Sequence, residues 1–243
     1  MFDDHFEIFL ADTREGREIN YSIRYRVYCE EMGFENKDNF PSEQEFDEYD
    51  DDAAHFIVRH RSTKEWVGAV RLTFPIDQTL PLEKHCKIHE QIDKSQTNRL
   101  VEFSRLCLIK EIRRRSSDIC PPLGIEDETK SFKETDKVKL FQNNHRMDRS
   151  IIWGLMSAAA DYCYHHDIPY VYFLTTNALA KILSRGGLNM MLIGDPCHFR
   201  GERYPYKMNV HETCHYEAWK KDYKNGYGLF SDLGFPVKQQ KVA

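Results

Sequence analysis

The sequence predicts one mixed α/β domain whose sheet is mostly antiparallel and is flanked by helices. Three observations support this fold class. The predicted elements follow the order strand, helix, long loop, three strands, helix, strand, helix and final strands. No internal repeat is present. The 243 residues, 41% of them hydrophobic, suffice for one large core, and we assign residues 1–243 to a single domain.

The N-terminal third contains a predicted strand, helix, loop and hairpin. Residues 6–11 (FEIFLA) have the composition of a strand. Apolar residues then recur every four positions, which predicts a helix over 14–33 with Gly33 at its end. A polar, acidic loop follows over 35–52. The runs HFIVRHR and EWVGAVRLTF, joined by STKE, predict an antiparallel hairpin.

Further elements are predicted in the rest of the chain. The run LEKHCKIHEQI predicts a short helix, and residues 100–109 predict a strand. Residues 110–149 are charged and contain a Pro-Pro-Leu-Gly break, which predicts an inserted lobe or partly mobile loop. A helix over 150–167 follows, with Ser150 as its candidate N-cap. The last predicted elements are the strand PYVYFLTT, the helix NALAKILSRGG, the strands LNMMLIGD and YPYKMNVHE, and a short helix near 213–223.

Charge and cysteine content exclude several functional classes. The formal net charge is −5, which disfavours a general nucleic-acid-binding role. No run approaches the roughly 18 apolar residues that a membrane-spanning helix requires, so we expect no integral membrane segment. The seven cysteines are odd in number and form no CxxC motif, and no signal-peptide pattern is present. We therefore expect a reduced, cytoplasmic protein with thiols rather than disulfides.

One predicted strand contains polar residues where apolar ones are expected. The stretch RLVEFSRLCLI, residues 99–109, has the composition of a mostly buried strand, yet Glu102, Ser104 and Arg105 lie at its centre. A carboxylate and a guanidinium are costly to bury unless they are paired or used in chemistry. We therefore take these three residues as candidate catalytic residues.

Four short motifs occur in order between residues 14 and 110. They are RYRVYCEEMGF, EFDEYD, GAVRL and EFSR, and their distinctive residues are Arg24, Tyr28, Phe34, Asp47, Asp50, Arg71, Glu102 and Arg105. Together they resemble the acyl-homoserine-lactone synthases. The pattern of that family is an Arg, an aromatic four residues on, a Gly-Trp, an acidic D-x-x-D pair, a Gly-x-x-Arg-Leu strand and a Glu-x-x-Arg strand. The order of elements is similar to that of the Gcn5-related N-acetyltransferase (GNAT), or acyl-CoA N-acyltransferase, fold.

The sequence resembles a related family more closely. The PEP-CTERM/exosortase-associated acyltransferases, which are similar to N-acyl amino acid synthases, carry YRVYCEE-like helices, and this resemblance covers nearly the whole chain. It implies a long-chain acyl donor on acyl carrier protein, a small-molecule amine acceptor and no tightly bound cofactor. Phe34 stands where the lactone synthases have Trp, and an insert occupies about 110–149. Both departures disfavour S-adenosylmethionine as the acceptor.

Amide formation from a thioester requires a neutral amine. A free α-amino group titrates near ~8, so a base close to the acceptor promotes the reaction. Glu102 is the candidate base, the role that the resemblance also implies. Residues three apart on an ideal strand point to opposite faces. The resemblance to the acetyltransferase-like fold implies a β-bulge in the fourth strand, which would alter this alternation and let Glu102 and Arg105 share a cleft. Such a bulge also exposes a backbone N–H that can stabilise the oxyanion.

The remaining motif residues are candidates for binding the acceptor. Arg24 and Tyr28 share a helix face. Asp47 and Asp50 can pair with Arg24, Arg71 or Arg105 and so order a loop over the cleft. Arg71 and Arg105 are expected to hold the acceptor's carboxylate or to orient Glu102; the alternative is that these charges only stabilise the fold. The substrate-binding candidates are therefore Arg24, Tyr28, Phe34, Asp47, Asp50 and Arg71.

A basic run follows the polar strand and is a candidate donor site. No glycine-rich turn that would hold CoA pyrophosphate follows Ile109. The basic residues instead are expected to bind phosphopantetheine phosphate or the acidic surface of acyl carrier protein, although a solvated charge run is the alternative. These donor-binding candidates are Lys110, Arg113, Arg114 and Arg115.

Two other signals are weaker. His85, Cys86 and His89 have ligand-like spacing, but a zinc site requires further ligands, and we predict no metal. Arg200 and Arg203 in HFRGERYPY either bind a carboxylate or form a basic hairpin turn.

The sequence as a whole predicts an N-acyltransferase that moves a fatty acyl group from acyl carrier protein, or acyl-CoA, to the amine of an amino acid or related small molecule. Three alternatives remain open. They are an acyl-homoserine-lactone synthase that uses S-adenosylmethionine, a non-catalytic protein that binds acyl carrier protein or lipid, and a short-chain CoA-dependent acetyltransferase.

Overall fold

A mixed sheet organises the computed structural model, which describes residues 2–95, 97–112, 136–215 and 223–234, with side chains omitted over 136–150. The strand order is β6-β8-β5-β4-β3-β2-β1-β9, with β7 paired to β8. Neighbours are antiparallel except for β4 with β5 and β1 with β9. The strands are β1 Phe6–Leu10, β2 Ala54–His60, β3 Trp66–Thr73, β4 Leu100–Leu108, β5 Tyr170–Thr175, β6 Met190–Leu192, β7 Cys197–His198, β8 Glu202–Asn209 and β9 Gly228–Leu229.

Helices pack on both faces of this sheet. They are α1 Phe2–His5, α2 Arg14–Tyr25, which continues as a π-helical segment Arg26–Glu31, α3 Pro81–His85, α4 Asp136–His165, α5 Asn177–Arg185 and α6 Val210–Cys214. The α2 helix begins where the Thr13 side chain accepts a hydrogen bond from the Gly16 N–H, and Thr176 caps α5 in the same way through Leu179 N–H. The α4 helix crosses over between the parallel strands β4 and β5, as the sequence predicts.

Two apolar clusters fix these layers. The larger contains Phe56 and Ile57 of the sheet together with Ile151, Leu155 and Leu183 of the helices, all essentially inaccessible to solvent. Full burial of each such side chain contributes about 1.5–3 kcal/mol. The smaller cluster contains Leu80, Leu82, Ile92, Leu100, Tyr172 and Ile193. It packs α3 against the face of β4 and β5 that also carries Glu102.

The structure corrects the predicted start of the crossover helix. Its backbone begins at Asp136, so Ser150 is an internal residue rather than an N-cap, and the end of the predicted insert is helical. Polar and charged residues make up most of residues 136–149 and hide the helix from an apolar-pattern search, although Lys, Leu, Gln and Arg favour helix. The rest of the predicted insert, including Arg113, Arg114 and Arg115, lies outside the described residues, as does most of the predicted helix at 213–223.

The prediction of thiols rather than disulfides is wrong for one pair. Cys86 and Cys197 form a disulfide with a Cα–Cα distance of 5.2 Å. They are separated by 111 residues, so only the fold brings them together. The predicted helix over LEKHCKIHEQI also ends early, at His85, because Cys86 adopts an extended backbone. Cys29, Cys163 and Cys214 are free thiols.

None of the described helices combines the length and the apolar character that crossing a bilayer requires.

Candidate active site

A cleft opens where two parallel strands separate. The pairing of β4 with β5 runs from Leu100 opposite Tyr170 to Phe103 opposite Phe173. Beyond that pair both strands continue without pairing to each other. A cleft of about 740 Å³ lies at this opening. That volume is within the range of about 300–1,000 Å³ typical of small-molecule sites.

A β-bulge in β4 brings the polar side chains to one side. Arg71 lies opposite Ser104 and Ala69 lies opposite Cys107, so two steps along β3 match three steps along β4. Arg105 and Leu106 together therefore face Val70, and Arg105 has a φ of 55°. The extra residue reverses the alternation of side chains. The bulge implied by the resemblance is present, and Glu102 and Arg105 both line the cleft.

Glu102 is a buried carboxyl group at the wall of this cleft. Its side chain is 4% exposed and accepts a hydrogen bond of 2.7 Å from the Leu82 N–H at the start of α3. No cation of the described chain lies within ion-pairing distance of it. Burial raises the pKa of Glu102 to about 8, because the low-dielectric surroundings disfavour its charged form. Such a pKa matches that of a free α-amino group, which suits proton transfer between them.

Next to Glu102, three arginines and three carboxylates form a closed ring of ion pairs. Each arginine contacts two of the carboxylates, and each carboxylate contacts two of the arginines, so the six charges cancel. The contacts around the ring are Arg24–Glu45 2.5 Å, Glu45–Arg105 3.0 Å, Arg105–Asp47 2.7 Å, Asp47–Arg71 2.6 Å, Arg71–Asp50 2.8 Å and Asp50–Arg24 2.6 Å. We call this set the ion-pair ring.

The ion-pair ring favours the charged forms of Arg24, Asp47 and Asp50 despite their burial. Burial alone would raise the pKa of Asp50, but hydrogen bonds from Arg24 and the charges of Arg24 and Arg71 outweigh burial and hold it well below its usual value. The same balance, with Arg71 as the main partner, lowers the pKa of Asp47. Burial would lower the pKa of Arg24, yet Asp50 and Glu45 raise it. The network fixes the loop from Glu45 to Asp50 against the sheet.

Glu45 is the ring member that the sequence analysis missed. Its side chain is 1% exposed and bridges Arg24 and Arg105. The acidic stretch EQEFDEYD contains several carboxylates, and pattern alone does not distinguish them. A charge count provides the missing signal, because three buried arginines require a third acid besides Asp47 and Asp50.

Ser104 connects the ring to the strand that carries Glu102. Its Oγ accepts a 3.1 Å hydrogen bond from Arg71 Nε and lies 3.2 Å from Thr73 Oγ1. Since Thr73 is also the strand partner of Glu102, these polar groups occupy one face of the sheet. Ser104 thus lines the cleft beside Glu102 and Arg105, and the catalytic role of these three residues stays a prediction.

Tyr28 and Phe34 form an aromatic wall opposite the bulge. The Tyr28 hydroxyl donates a 3.1 Å hydrogen bond to the Leu106 carbonyl, and burial raises its pKa. The Phe34 ring stacks on Tyr28 with centroids 6.4 Å apart. The guanidinium of Arg105 lies 5.9 Å from the Tyr28 ring. The structure therefore brings together all the predicted substrate-binding residues, although Arg24 and Asp50 lie behind the cleft wall.

Apolar side chains line the other part of the cleft. They come from β4, β5, α4, α5 and the π-helical segment, and include Val27, Phe103, Ile152, Met156, Phe173, Leu179 and Leu183. The polar wall around Glu102 and this apolar wall meet at the separation of β4 from β5. The arrangement can hold a reactive polar group at one end of a hydrocarbon chain.

The predicted donor-binding run is described only at its first residue. The Lys110 N–H donates to Glu31, and the Lys110 side chain is exposed. Arg113, Arg114 and Arg115 lie outside the described residues, so their role in donor binding stays a prediction.

Comparisons with known proteins agree on the fold. Residues 23–119 match the family model described as Acetyltransferase (GNAT) domain. A CoA-dependent acyl-homoserine lactone synthase, BjaI, solved with SAM and isopentyl-CoA, superposes with a TM-score of 0.58 at 15% identity, over 86% of this chain and 85% of that one. No curated protein matches the chain in a sequence search.

Two further structures are similar. The AHL synthase LasI has a TM-score of 0.54 at 15% identity, over 85% of this chain and 90% of that one. FeeM, an N-acyl amino acid synthase from uncultured soil microbes, has a TM-score of 0.50 at 12% identity, over 86% of this chain and 92% of that one. At such identities the structures establish the fold alone. The chain has the GNAT, or acyl-CoA N-acyltransferase, fold, and the family match supports an acyltransferase.

Proposed function

We propose that this protein is an N-acyltransferase that moves a fatty acyl group from an acyl thioester to the amine of an amino acid or related small molecule. The observation that carries the proposal is the position of Glu102, a buried carboxyl group of raised pKa where the polar and apolar parts of the cleft meet. A base at this position promotes direct acyl transfer to an amine.

The proposed reaction is one transfer step assisted by Glu102. Glu102 removes a proton from the acceptor's ammonium group, and the neutral nitrogen attacks the thioester carbonyl. A backbone N–H of the bulge at Arg105 and Leu106 stabilises the tetrahedral oxyanion. The C–N bond forms, and the attacking nitrogen then loses a second proton. The C–S bond breaks, the leaving thiolate takes up that second proton, and Glu102 releases the first proton to solvent. Direct transfer needs no covalent enzyme intermediate.

The other residues position the reactants in this proposal. The apolar wall holds the acyl chain, while the Tyr28 and Phe34 rings enclose the acceptor. The ion-pair ring fixes the loop from Glu45 to Asp50, and through Arg71 it orients Ser104 beside Glu102. Because Arg71 and Arg105 are already engaged by two carboxylates each, we assign them to this positioning role.

Acyl carrier protein is the donor that we favour. No glycine-rich turn of the kind that binds CoA pyrophosphate follows Ile109, and Lys110 with Arg113, Arg114 and Arg115 provides positive charge for an acidic carrier protein. Acyl-CoA is the alternative donor. The association with an exosortase system and the cytoplasmic location rest on the sequence and stay predictions.

Product identification tests the proposed function. Lipid extracts of cells that express the chain are compared by mass spectrometry with extracts of cells that express Glu102→Gln. The proposal expects an N-acyl amino acid, which is an acid, in the first extract only. A neutral lactone would instead assign the chain as an acyl-homoserine-lactone synthase. Donor binding without any amide product, with purified chain, acyl carrier protein thioester and a panel of amino acids, would identify a non-catalytic binding protein.

A further inference from the structure

The ionic side chains that line the cleft are balanced in number. Of the described residues there, five are arginine or lysine and five are aspartate or glutamate. They are Arg71, Lys84, Arg105, Arg200 and Arg203, and Glu35, Glu45, Asp47, Glu48 and Glu102. Most of these charges pair with one another, so the exceptions indicate where a ligand can bind.

Four cations and four carboxylates of this set are paired. Arg71 and Arg105 belong to the ion-pair ring with Glu45 and Asp47. Outside the ring, the Lys84 ammonium lies 3.3 Å from Glu48, and Arg200 pairs with Glu35.

Glu102 and Arg203 are left without an oppositely charged side chain. The Arg203 Nη1 donates a 3.1 Å hydrogen bond to the Glu202 carbonyl, and no carboxylate of the described chain lies within ion-pairing distance of its guanidinium. Arg203 is half-buried, and burial lowers its pKa because it disfavours the charged form. An anion would supply the partner that it lacks.

The sheet register places Arg203 on the same face as Glu102. Glu102 lies opposite Tyr172, and Tyr172 lies opposite Lys207. Side chains two or four residues apart on one strand share a face, so Arg203, four residues before Lys207 on β8, points to the side of the sheet that carries Glu102. Both line the same cleft.

The two residues also belong to one rigid frame. Arg203 lies opposite Cys197, and the Cys86–Cys197 disulfide joins the β7–β8 hairpin to the end of α3. The first turn of α3 provides the Leu82 N–H that binds Glu102. The His85 and Phe199 rings stack between the same two elements, with centroids 3.9 Å apart. These contacts link the strand that carries Arg203 to the helix that binds Glu102.

We propose that Arg203 binds the carboxylate of the acceptor while Glu102 receives the proton from its amine, so that the acceptor is a free amino acid. This inference rests on the proposed function and specifies its substrate class. An amino acid is a zwitterion: its carboxylate complements the guanidinium of Arg203, and its ammonium group gives a proton to the ionised form of Glu102, in a cleft whose other charges cancel. An amine without a carboxylate would leave Arg203 unpaired. Arg71 and Arg105 could bind the acceptor's carboxylate only by breaking an ion pair with Asp47 or Glu45.

Steady-state kinetics of the full chain test this assignment. The probes are a panel of amino acids and the matching amino acid amides, which keep the amine and lack the carboxylate, with acyl carrier protein thioester as donor. For Arg203→Gln we expect KM for the amino acid to rise by about 10- to 100-fold, as for loss of a charged hydrogen bond. The KM for the donor should stay within about twofold of the wild-type value, and the preference for acid over amide should disappear. Arg203→Lys should recover part of that preference.

Arg185→Gln is the matched control, because Arg185 is an exposed arginine at the end of α5 outside the cleft. It should leave both KM values unchanged, and thermal melts verify that all variants fold. An unchanged amino acid KM in Arg203→Gln overturns the inference. If Arg203→Gln raises the KM for the donor and not the KM for the amino acid, the inference is also overturned, because Arg203 would then bind the donor's phosphate. If the wild-type chain forms no amide from any amino acid, the proposed function itself fails.

Discussion

Two buried carboxyl groups of this site show how contacts set protonation. Asp50 is 2% exposed and Glu102 is 4% exposed, so both lose most of their hydration. Asp50 has two arginines within 3 Å, and its pKa falls. Glu102 has only a backbone N–H, and its pKa rises to about 8. Because of this difference in pKa, Asp50 stays ionised and stabilises the structure, whereas Glu102 can take up and release a proton near neutral pH.

This difference predicts how the stability of a Glu102→Gln variant depends on pH. The folded protein binds a proton at Glu102 more tightly than the unfolded chain, whose glutamate has a pKa near 4.5. Glu102 therefore destabilises the fold increasingly as the pH rises from about 4.5 to about 8, by up to about 4 kcal/mol. Glutamine is neutral throughout, so the variant should gain stability over the wild type across this interval.

Urea unfolding at several pH values measures the gain. A constant difference in the free energy of unfolding between the two proteins from pH 5 to pH 8 would show that Glu102 titrates normally. The Asp52→Asn variant, at an exposed carboxylate of the neighbouring loop, controls for the loss of one negative charge.

At the scale of elements, the ion-pair ring joins α2, β3, the bulge in β4 and the loop from Glu45 to Asp50. Each charge is satisfied only while all these elements are in place. Removing one partner of a buried pair leaves an uncompensated charge and costs about 3–5 kcal/mol. The ring therefore couples the order of the loop over the cleft to the position of β4, the strand that carries Glu102.

Asp50→Asn tests this coupling. The substitution leaves Arg24 and Arg71 short of one negative charge, and we expect the free energy of unfolding to fall by about 3–5 kcal/mol. The native pKa of Asp50 is lowered, so its contribution is present above the unfolded value near 3.8 and is lost as the pH falls toward the native value. The loss of unfolding free energy caused by Asp50→Asn should therefore become smaller as the pH is lowered.

Asp52→Asn is again the control, since it removes an exposed carboxylate two residues away. Its free energy of unfolding should change by less than about 0.5 kcal/mol. If the two variants lower the free energy of unfolding equally, then Asp50 in the ring contributes no more to stability than an exposed carboxylate.

The limits of prediction at this scale have identifiable causes. The hairpin, the polar strand and the two helices around β5 follow from local apolar patterns, and the motif residues converge as expected. The start of α4 at Asp136 was hidden because its first turns are charged. Glu45 was missed because local pattern does not show which acid of a run turns inward. The sequence names Arg200 and Arg203 as alternatives for binding a carboxylate, and only the structure separates them, because Arg200 is paired with Glu35.

At the scale of the whole molecule, contacts between segments far apart in the chain could not be predicted from the sequence. The disulfide between Cys86 and Cys197 spans 111 residues and joins two segments that have no local signal for each other. It connects α3, which holds Glu102, to the β7–β8 hairpin, which carries Arg203. Such a closure restricts the unfolded chain and stabilises the fold.

The replacement of both Cys86 and Cys197 by serine should therefore lower the free energy of unfolding by about 2–4 kcal/mol in the absence of reductant. Non-reducing peptide mapping by mass spectrometry should detect the Cys86–Cys197 cross-link in the wild type. The control is Cys214→Ser, at a free thiol. Wild-type protein in which both cysteines react with a thiol-alkylating reagent would show that the two side chains are reduced.

The most direct test of the whole account is the rate of amide formation by Glu102→Gln compared with Glu90→Gln, a glutamate that pairs with Lys207 outside the cleft. Both proteins should remain folded. The account predicts that kcat falls at least about 100-fold in Glu102→Gln, as for loss of a general base, and stays near the wild-type value in Glu90→Gln. Wild-type turnover in a folded Glu102→Gln protein would contradict it.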